Sequence, residues 1–228
     1  MTSHPFRLIF AGPPLSNQQM KNQLNTNQDG LMLSVLFVCA MLTSATAQIK
    51  GYTLGDGVAD FRLTNVDNRL VSLADYRSQK GLIVVFTSNH CPFAKAYEDR
   101  LIALDRQFTP QGFPVLAIMP NDPAAYETDS FAQMQIRARE KDFSFPYVID
   151  ESQRVAKSFG VTRTPQVFVL RNQNGQFTVE YIGSIDDSPQ EAGSVRRRYV
   201  SEAVTSLLAG QPVQTPLTKP IGCAVTWK

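Results

Sequence analysis

The run "GLIVVFTS", Gly81 to Ser88, constrains the fold of this chain more than any other stretch. A continuous series of apolar, β-branched residues predicts a strand that is buried on both faces, and such strands occupy the centre of α/β sheets. Directly after it, apolar residues recur at steps of three and four from Ala94 to Phe108, which predicts an amphipathic helix. The sequence therefore predicts a strand-to-helix corner, and Cys91 lies at that corner.

The remaining patterns predict further strands and helices on both sides of this corner. They comprise an N-terminal β-hairpin in "ADFRLTNVDNRLVSLADY", a buried strand at Phe113 to Pro120, a helix at Asp129 to Lys141, a short strand in "FPYVID", a brief helix in "ESQRVAKSFG", a hairpin of "TPQVFVL" and "QFTVEYIG", and a final helix from about Ser194 to Leu208. The basic triplet Arg196 to Arg198 is predicted to lie on a solvated face of that final helix. Together these elements predict an α/β fold with a central mixed β-sheet flanked by helices on both faces.

The first 47 residues differ in kind from the rest. The uncharged run "LMLSVLFVCAML" precedes "TSATAQ", where Ala45 and Ala47 provide a small-x-small cleavage site, so residues 1–47 are predicted to be a signal peptide. The segment before the apolar run is long and polar for a signal peptide, so translation is predicted to start at Met20 rather than at Met1. The run is too short for a stable membrane span, which predicts an exported, periplasmic or extracytoplasmic protein. Residues 48–212 are then the folded domain, and residues 213–228 an extended C-terminal tail.

Composition excludes several classes of function. With 43% hydrophobic residues and a net charge of +2 from interspersed acids and bases, the chain is neither disordered nor a nucleic-acid-binding surface. Without residues 1–47 it keeps two cysteines, Cys91 and Cys223, and one histidine, His90. These residues cannot form a zinc cluster of ordinary spacing, and no glycine-rich phosphate loop occurs, so no metal or cofactor is predicted. Cysteine chemistry remains, and an oxidising compartment permits it.

The surroundings of Cys91 favour a reactive thiol. Pro92 suits the first position of a helix, which makes Cys91 the cap, where free N–H groups and the helix dipole favour the thiolate. His90 could supply a positive charge or move a proton, and the Ser88 hydroxyl could reach the sulfur. The alternatives stay open at this point: a buried, inert cysteine, a surface histidine and an ordinary turn serine.

At these residues the chain resembles a known family. The segments "DFRLTNVDNRLVSLADYR", "GLIVVFTSNHCPFAKAYEDR", "GVTRTPQVFVL", "YIGSIDD" and "KPIGCAVTW" are similar to exported thioredoxin-like proteins of the redoxin group, relatives of alkyl hydroperoxide reductase and the thiol-specific antioxidants. The resemblance covers about residues 52 to 228 and implies a thioredoxin-like fold. Two departures are visible: Ser88 replaces the first cysteine of C-x-x-C, and Val84 replaces the proline of the peroxiredoxin pattern P-x-x-x-[ST]-x-x-C.

The resemblance also implies a loop that faces the active cysteine. Thr164-Pro165 matches the position of the cis-proline loop of thioredoxin-like folds, and Arg163 beside it could favour the thiolate and orient a peroxide oxygen. Cys223 in the tail could be a resolving thiol that closes a disulfide onto Cys91. It could equally be inert or form an intermolecular bridge, because the sequence gives no distance between the two residues.

The predicted function is that of a thiol-dependent oxidoreductase of the redoxin group. In the leading hypothesis, the Cys91 thiolate reduces a hydroperoxide and becomes a sulfenic acid, which Cys223 or an external thiol donor resolves. One alternative is a disulfide reductase or exchange protein that acts on protein disulfides through mixed disulfides at Cys91. A second alternative is a non-catalytic thioredoxin-like binding module. No nucleic-acid partner is expected.

Overall fold

The predicted central strand lies inside a seven-stranded sheet. The computed structural model describes residues 51–228; the predicted signal peptide, residues 1–47, lies outside the described residues. The strands are β1 (Arg62–Asn65), β2 (Leu70–Ser72), β3 (Gly81–Phe86), β4 (Val115–Met119), β5 (Tyr147–Ile149), β6 (Arg163–Thr164), β7 (Gln166–Gln173), β8 (Gln176–Gly183) and β9 (Cys223–Ala224). The large sheet has the order β2-β1-β5-β4-β3-β7-β8, and β6 and β9 form a separate two-stranded pair.

The sheet is mixed, as the sequence predicts for this fold class. Strands β3, β4 and β5 run parallel to one another, whereas β7 is antiparallel to β3 and β8, and β1 is antiparallel to β5 and β2. Every residue of β3 is buried. Ile83 and Val85 enter the core on one face of the sheet, and Leu82, Val84 and Phe86 enter the core on the other. This alternation explains why the strand reads as an unbroken apolar run.

Four α-helices cover the two faces of the sheet in the described part of the chain. They are α1 (Pro92–Phe108), α2 (Phe131–Glu140), α3 (Arg154–Phe159) and α4 (Tyr199–Leu208). Apolar residues of α1, α2 and α4 pack into the core on one face, and those of α3 pack into the core on the opposite face. The thioredoxin-like fold with helices on both faces is therefore confirmed. Within residues 51–228, none of the helices has the length and apolar character needed to cross a membrane.

One helix begins later than its pattern predicts. Helix α4 begins at Tyr199 rather than near Ser194, so the basic triplet precedes the helix instead of forming one of its faces. The reason is local pairing with Asp187. Its backbone N–H donates to the carbonyl of Arg197 at 3.1 Å, and its carboxylate accepts the N–H of Arg196 at 2.9 Å. These bonds keep Arg196 and Arg197 out of the helix, which begins after Arg198, whose N–H donates to the carboxylate of Glu202.

Helix α2 also begins slightly later than predicted, with a consequence for the functional site. A short 3₁₀ turn occupies Glu127–Asp129, and Ser130 is the N-cap of α2, accepting the N–H of Gln133 at 3.4 Å. Asp129 therefore lies outside the α-helix. Its side chain is fully buried and faces the corner that carries Cys91.

The C-terminal tail is docked along the domain rather than projecting from it. Thr218 bonds to the end of β8, since its N–H donates to the carbonyl of Ile182 at 3.0 Å and its hydroxyl accepts the N–H of Ser184 at 2.9 Å. Further on, β9 pairs antiparallel with β6, and Val225 is buried in the core. The tail thus crosses the site at which β3 ends and α1 begins.

Candidate active site

Cys91 occupies the N-cap position of α1, as the sequence predicts. Pro92 is the first helical residue, and the carbonyl of Cys91 accepts the N–H of Lys95 at 3.0 Å. The side chain of Cys91 has no exposed surface, and its thiol donates to the carbonyl of Thr164 at 3.2 Å. A sulfur at this position lies next to the free N–H groups of the first helical turn, which stabilise a negative charge.

The Thr164-Pro165 loop lies against Cys91, and the peptide bond between its two residues is cis. Thr164 is fully buried and contacts the corner twice. Its carbonyl accepts the Cys91 thiol, and its hydroxyl lies 3.0 Å from the hydroxyl of Ser88. Ser88 therefore bonds to the loop that faces the cysteine, and its described hydrogen bond is not to the sulfur.

Cys223 is brought to the same loop by the pairing of β9 with β6. In this register Thr164 is the cross-strand partner of Cys223. The approach requires glycine at the preceding position, because a Cβ on Gly222 would lie 2.1 Å from the carbonyl oxygen of Thr164. Cys91 and Cys223 are both free thiols, and both contact the Thr164 segment. The structure thus brings together the two cysteines that the sequence left apart.

The environment of Cys223 keeps its thiol protonated. Burial, and then the hydrogen bond and charge of Cys91, raise the pKa of Cys223 to about 12, and the positive charge of Arg163 opposes this shift. Arg163 is exposed, and its Nη1 donates to the carbonyl of Gly222 at 2.8 Å. Its charge acts on the tail cysteine; an action on Cys91 or on a peroxide stays a prediction.

His90 is held by a buried carboxylate that sequence reasoning missed. Its Nδ1 lies 2.6 Å from Oδ2 of Asp129, and its ring stacks on Tyr126 at a centroid distance of 3.9 Å. The other oxygen of Asp129 accepts the N–H groups of Asn89 and His90 at 2.8 and 3.0 Å. Because a carboxylate accepts but does not donate, the contact between Nδ1 of His90 and Oδ2 of Asp129 places a ring hydrogen on Nδ1.

Asp129, Asn121 and Gln153 form the polar surroundings of the site, and no motif in the sequence identified them. Each is buried, and each contacts either the Cys91 corner or the tail through main-chain groups. Their roles depend on contacts between segments that are distant in sequence, and local sequence patterns do not predict such contacts. Among residues 51–228, no group of three or more His, Cys, Asp or Glu side chains is arranged to hold a metal ion.

Comparison with known proteins gives a family for this chain. Residues 54–181 match the AhpC/TSA family. The structure is similar to that of an uncharacterised conserved protein from Geobacillus kaustophilus, with 35% identity, a TM-score of 0.72, and coverage of 78% of this chain and 93% of that one. A hypothetical protein from Sinorhizobium meliloti 1021 is similar at 31% identity and the same TM-score, covering 78% of this chain and 97% of the other.

A third comparison supports the fold alone. Peroxidoxin BcpB from Mycobacterium tuberculosis shares 21% identity at a TM-score of 0.50, with coverage of 60% of this chain and 88% of that protein. No curated protein sequence matches the chain.

Proposed function

Because this chain belongs to the AhpC/TSA family of thiol-dependent oxidoreductases, we propose that it is a peroxidase in which Cys91 reacts with hydroperoxides and Cys223 resolves the product. The observation that carries this proposal is the pairing of β9 with β6. That pairing supplies a second thiol beside Cys91 although the local C-x-x-C dithiol is absent. The same pairing occupies the edge of β6 beside the buried Cys91, which hinders a protein partner more than a small oxidant.

The first step is an attack of the Cys91 thiolate on the terminal oxygen of the hydroperoxide. A sulfur–oxygen bond forms, the oxygen–oxygen bond breaks, and the departing alkoxide takes up a proton to become an alcohol. The N-terminal turn of α1 favours the thiolate that begins the reaction. His90, whose Nδ1 is held by Asp129, is next to Cys91 in sequence; we assign its Nε2 to take up the proton of the Cys91 thiol and to return that proton to the departing alkoxide.

The second step closes the disulfide. The sulfur of Cys223 attacks the sulfenic sulfur of Cys91, the sulfur–sulfur bond forms, the sulfur–oxygen bond breaks, and the hydroxyl group leaves as water with the proton that Cys223 gives up. Burial is the largest cause of the raised pKa of Cys223, and the hydrogen bond and charge of Cys91 are the next. Oxidation of Cys91 removes the charge contribution, so the resolving thiol is easier to deprotonate after the first step than before it. Two equivalents of an external thiol then restore both cysteines.

Direct exchange with a protein disulfide is disfavoured by the same geometry. A partner protein would have to reach a sulfur that has no exposed surface, next to a strand edge that the tail already occupies. Thiol–disulfide exchange requires one sulfur to approach the other in line, so access limits the reaction. Loss of the first cysteine of C-x-x-C, at Ser88, also removes the usual route out of a mixed disulfide.

The test is oxidation of the purified reduced protein with one equivalent of hydrogen peroxide, followed by peptide mass spectrometry. We expect a sulfenic acid at Cys91 that is trapped by dimedone at early times, and a Cys91–Cys223 link at later times. Cys223→Ser is the matched variant in which the sulfenic acid should persist. Peroxide that leaves Cys91 unmodified would falsify the proposal.

We also propose that the protein is exported, on the strength of the apolar run and the cleavage site in residues 31–47. An extracytoplasmic compartment is compatible with a cycle that passes through a disulfide. N-terminal sequencing of the protein recovered from the periplasmic fraction should give Gln48 as the first residue, and a chain that retains residues 1–47 would contradict export by cleavage.

A further inference from the structure

Asn121 connects the tail to the corner that carries Cys91. Its Oδ1 accepts the N–H of Thr226 at 3.1 Å, three residues beyond Cys223. Its Nδ2 donates to Oδ2 of Asp129 at 2.8 Å. Since the other oxygen of Asp129 accepts the two N–H groups directly before Cys91, one buried side chain links both cysteine-bearing segments.

Gln153 holds the same part of the tail through the carbonyl of Thr226 and the N–H of Lys228. Its Nε2 donates to the carbonyls of Thr226 and Pro120, both at 2.8 Å, and its Oε1 accepts the N–H of Lys228 at 2.8 Å. The residue is 1% exposed and has a φ of 58°, in the left-handed region that residues other than glycine rarely adopt. Every polar group of this side chain is thus used, mostly on the tail backbone.

We propose that Asn121 and Gln153, here called the amide clamp, are positioning residues for the resolution step. The inference rests on the proposed function, because it assigns them to the reaction between Cys91 sulfenic acid and Cys223. By holding Thr226 and Lys228, the amide clamp keeps β9 paired with β6 and keeps the Cys223 sulfur near Cys91. A fixed neighbour reacts far faster than a group on a free chain end, since its translational freedom is already lost.

The part of the amide clamp that bonds to the tail backbone is expected to act on closure. Peroxide attack uses Cys91, the first turn of α1 and His90 held by Asp129, none of which Gln153 contacts through a described hydrogen bond. Asn121 bonds to both the tail and Asp129, so Gln153→Gly is the variant that tests closure by itself. Closure requires in addition that the Cα atoms of the two cysteines stay within about 7 Å of each other, which an undocked tail would not maintain. Loss of the Gln153 side chain is therefore expected to slow closure more than it slows formation of the sulfenic acid.

The variants for the test are Gln153→Gly, which keeps the left-handed backbone accessible, and Asn121→Ala. Gln214→Ala is the matched control, because this amide lies on the same segment and its described bond is a local one to Pro212. Each full-length protein is mixed with hydrogen peroxide and quenched at intervals. Dimedone adducts at Cys91 and the Cys91–Cys223 link are then quantified, and hydrogen exchange at residues 224–228 reports tail docking.

We expect Gln153→Gly to lower the ratio of the closure rate to the sulfenic acid formation rate about tenfold, the effect of losing one or two buried hydrogen bonds. Asn121→Ala also removes a hydrogen bond to Asp129 and is expected to slow both steps, so the selective role is judged on Gln153→Gly. Amide exchange of the tail should rise in parallel, and Gln214→Ala should match the unsubstituted protein. General loss of structure would instead slow both steps together, which overturns the selective role.

Two outcomes separate this inference from the function on which it rests. If the unsubstituted protein forms the Cys91–Cys223 disulfide and the clamp variants close it at the same rate despite faster tail exchange, the amide clamp is not a positioning device and the peroxidase proposal stands. If Cys91 of the unsubstituted protein is not oxidised at all, the peroxidase proposal is overturned, and the positioning role falls with it because there is no sulfenic acid to resolve.

Discussion

The two cysteines of the described chain differ in what surrounds each sulfur. Cys91 is buried at a helix N-terminus and donates to Thr164, whereas Cys223 is partly exposed on the tail. Burial and the proximity of Cys91 raise the pKa of Cys223 to about 12, so this thiol is protonated at neutral pH. Cys91 therefore lies where a helix N-terminus favours a thiolate, whereas Cys223 remains a protonated thiol.

The raised pKa of Cys223 predicts a pH dependence of stability. Because folding raises this pKa from 9.0 to about 12, the folded protein holds the proton more tightly, and the resulting stabilisation is present below pH 9 and is lost as the pH rises toward 12. The free energy of unfolding of the reduced protein should thus fall across this window more steeply than that of Cys223→Ser. Urea unfolding under strong reductant measures it.

Buried tyrosines also make the free energy of unfolding depend on pH in this range, in the unsubstituted protein and in Cys223→Ser alike. Burial also raises the pKa of Tyr76 and Tyr181, and both titrate in the unfolded chain within the same alkaline range. Their effect is common to both proteins and cancels in the comparison. Parallel curves for the two proteins would show that Cys223 has no perturbed titration.

Strand β9 is a two-residue element whose position depends on a close backbone contact. Gly222 precedes it, and a Cβ there would lie 2.1 Å from the oxygen and 2.6 Å from the carbon of the Thr164 carbonyl group. Main-chain atoms of a buried residue cannot move aside as the end of a flexible side chain can. The pairing of β6 with β9 therefore requires glycine at this point.

Gly222→Ala is predicted to undock the tail. The added methyl group should lower the free energy of unfolding by about 1–3 kcal/mol, as overpacking commonly does, and should slow formation of the Cys91–Cys223 disulfide. Urea unfolding and the peroxide time course measure the two effects. Gly57→Ala is the control, because a Cβ at Gly57 meets no atom within 4 Å. Normal disulfide formation in Gly222→Ala would contradict the steric argument.

At the scale of the whole molecule, the C-terminal tail is anchored to the domain that contains the sheet. Val225 packs into the core on the face covered by α3, and Lys228 bonds to the carbonyl of Glu151. A disulfide between Cys91 and Cys223 would therefore link two segments that are already in contact, so it can form with little movement of the backbone. Its main effect would fall on the unfolded chain.

We predict that the oxidised protein is more stable than the reduced one. The disulfide closes a loop of about 130 residues, which by loop entropy corresponds to about 4–5 kcal/mol. Differential scanning calorimetry with and without reductant should show a higher Tm for the oxidised form. Cys223→Ser should show no such difference, and an equal or lower Tm for oxidised unsubstituted protein would mean that closure strains the fold.

Much of the architecture could be predicted from local patterns. The apolar run of β3, the three-and-four spacing of α1 and the turn between β7 and β8 are set by residues that are close in sequence, so periodicity identified them. The start of α4 was mispredicted because Asp187 competes for the backbone of the basic triplet from outside the window that a periodicity covers. The same limit applies to Asp129, whose bonds to the Cys91 corner cross 39 or more positions of the chain.

By itself, the sequence determined the α/β class and the cap position of Cys91, because each follows from the chemistry of neighbouring residues, whereas the Thr164-Pro165 loop was implied by the resemblance to the redoxin group. Only the tertiary structure decided that Cys223 lies beside Cys91, that Asp129 holds His90, and that Asn121 and Gln153 hold the tail. These contacts arise when strands that are distant in sequence pair and bury polar groups, which must then find hydrogen-bond partners wherever packing places them.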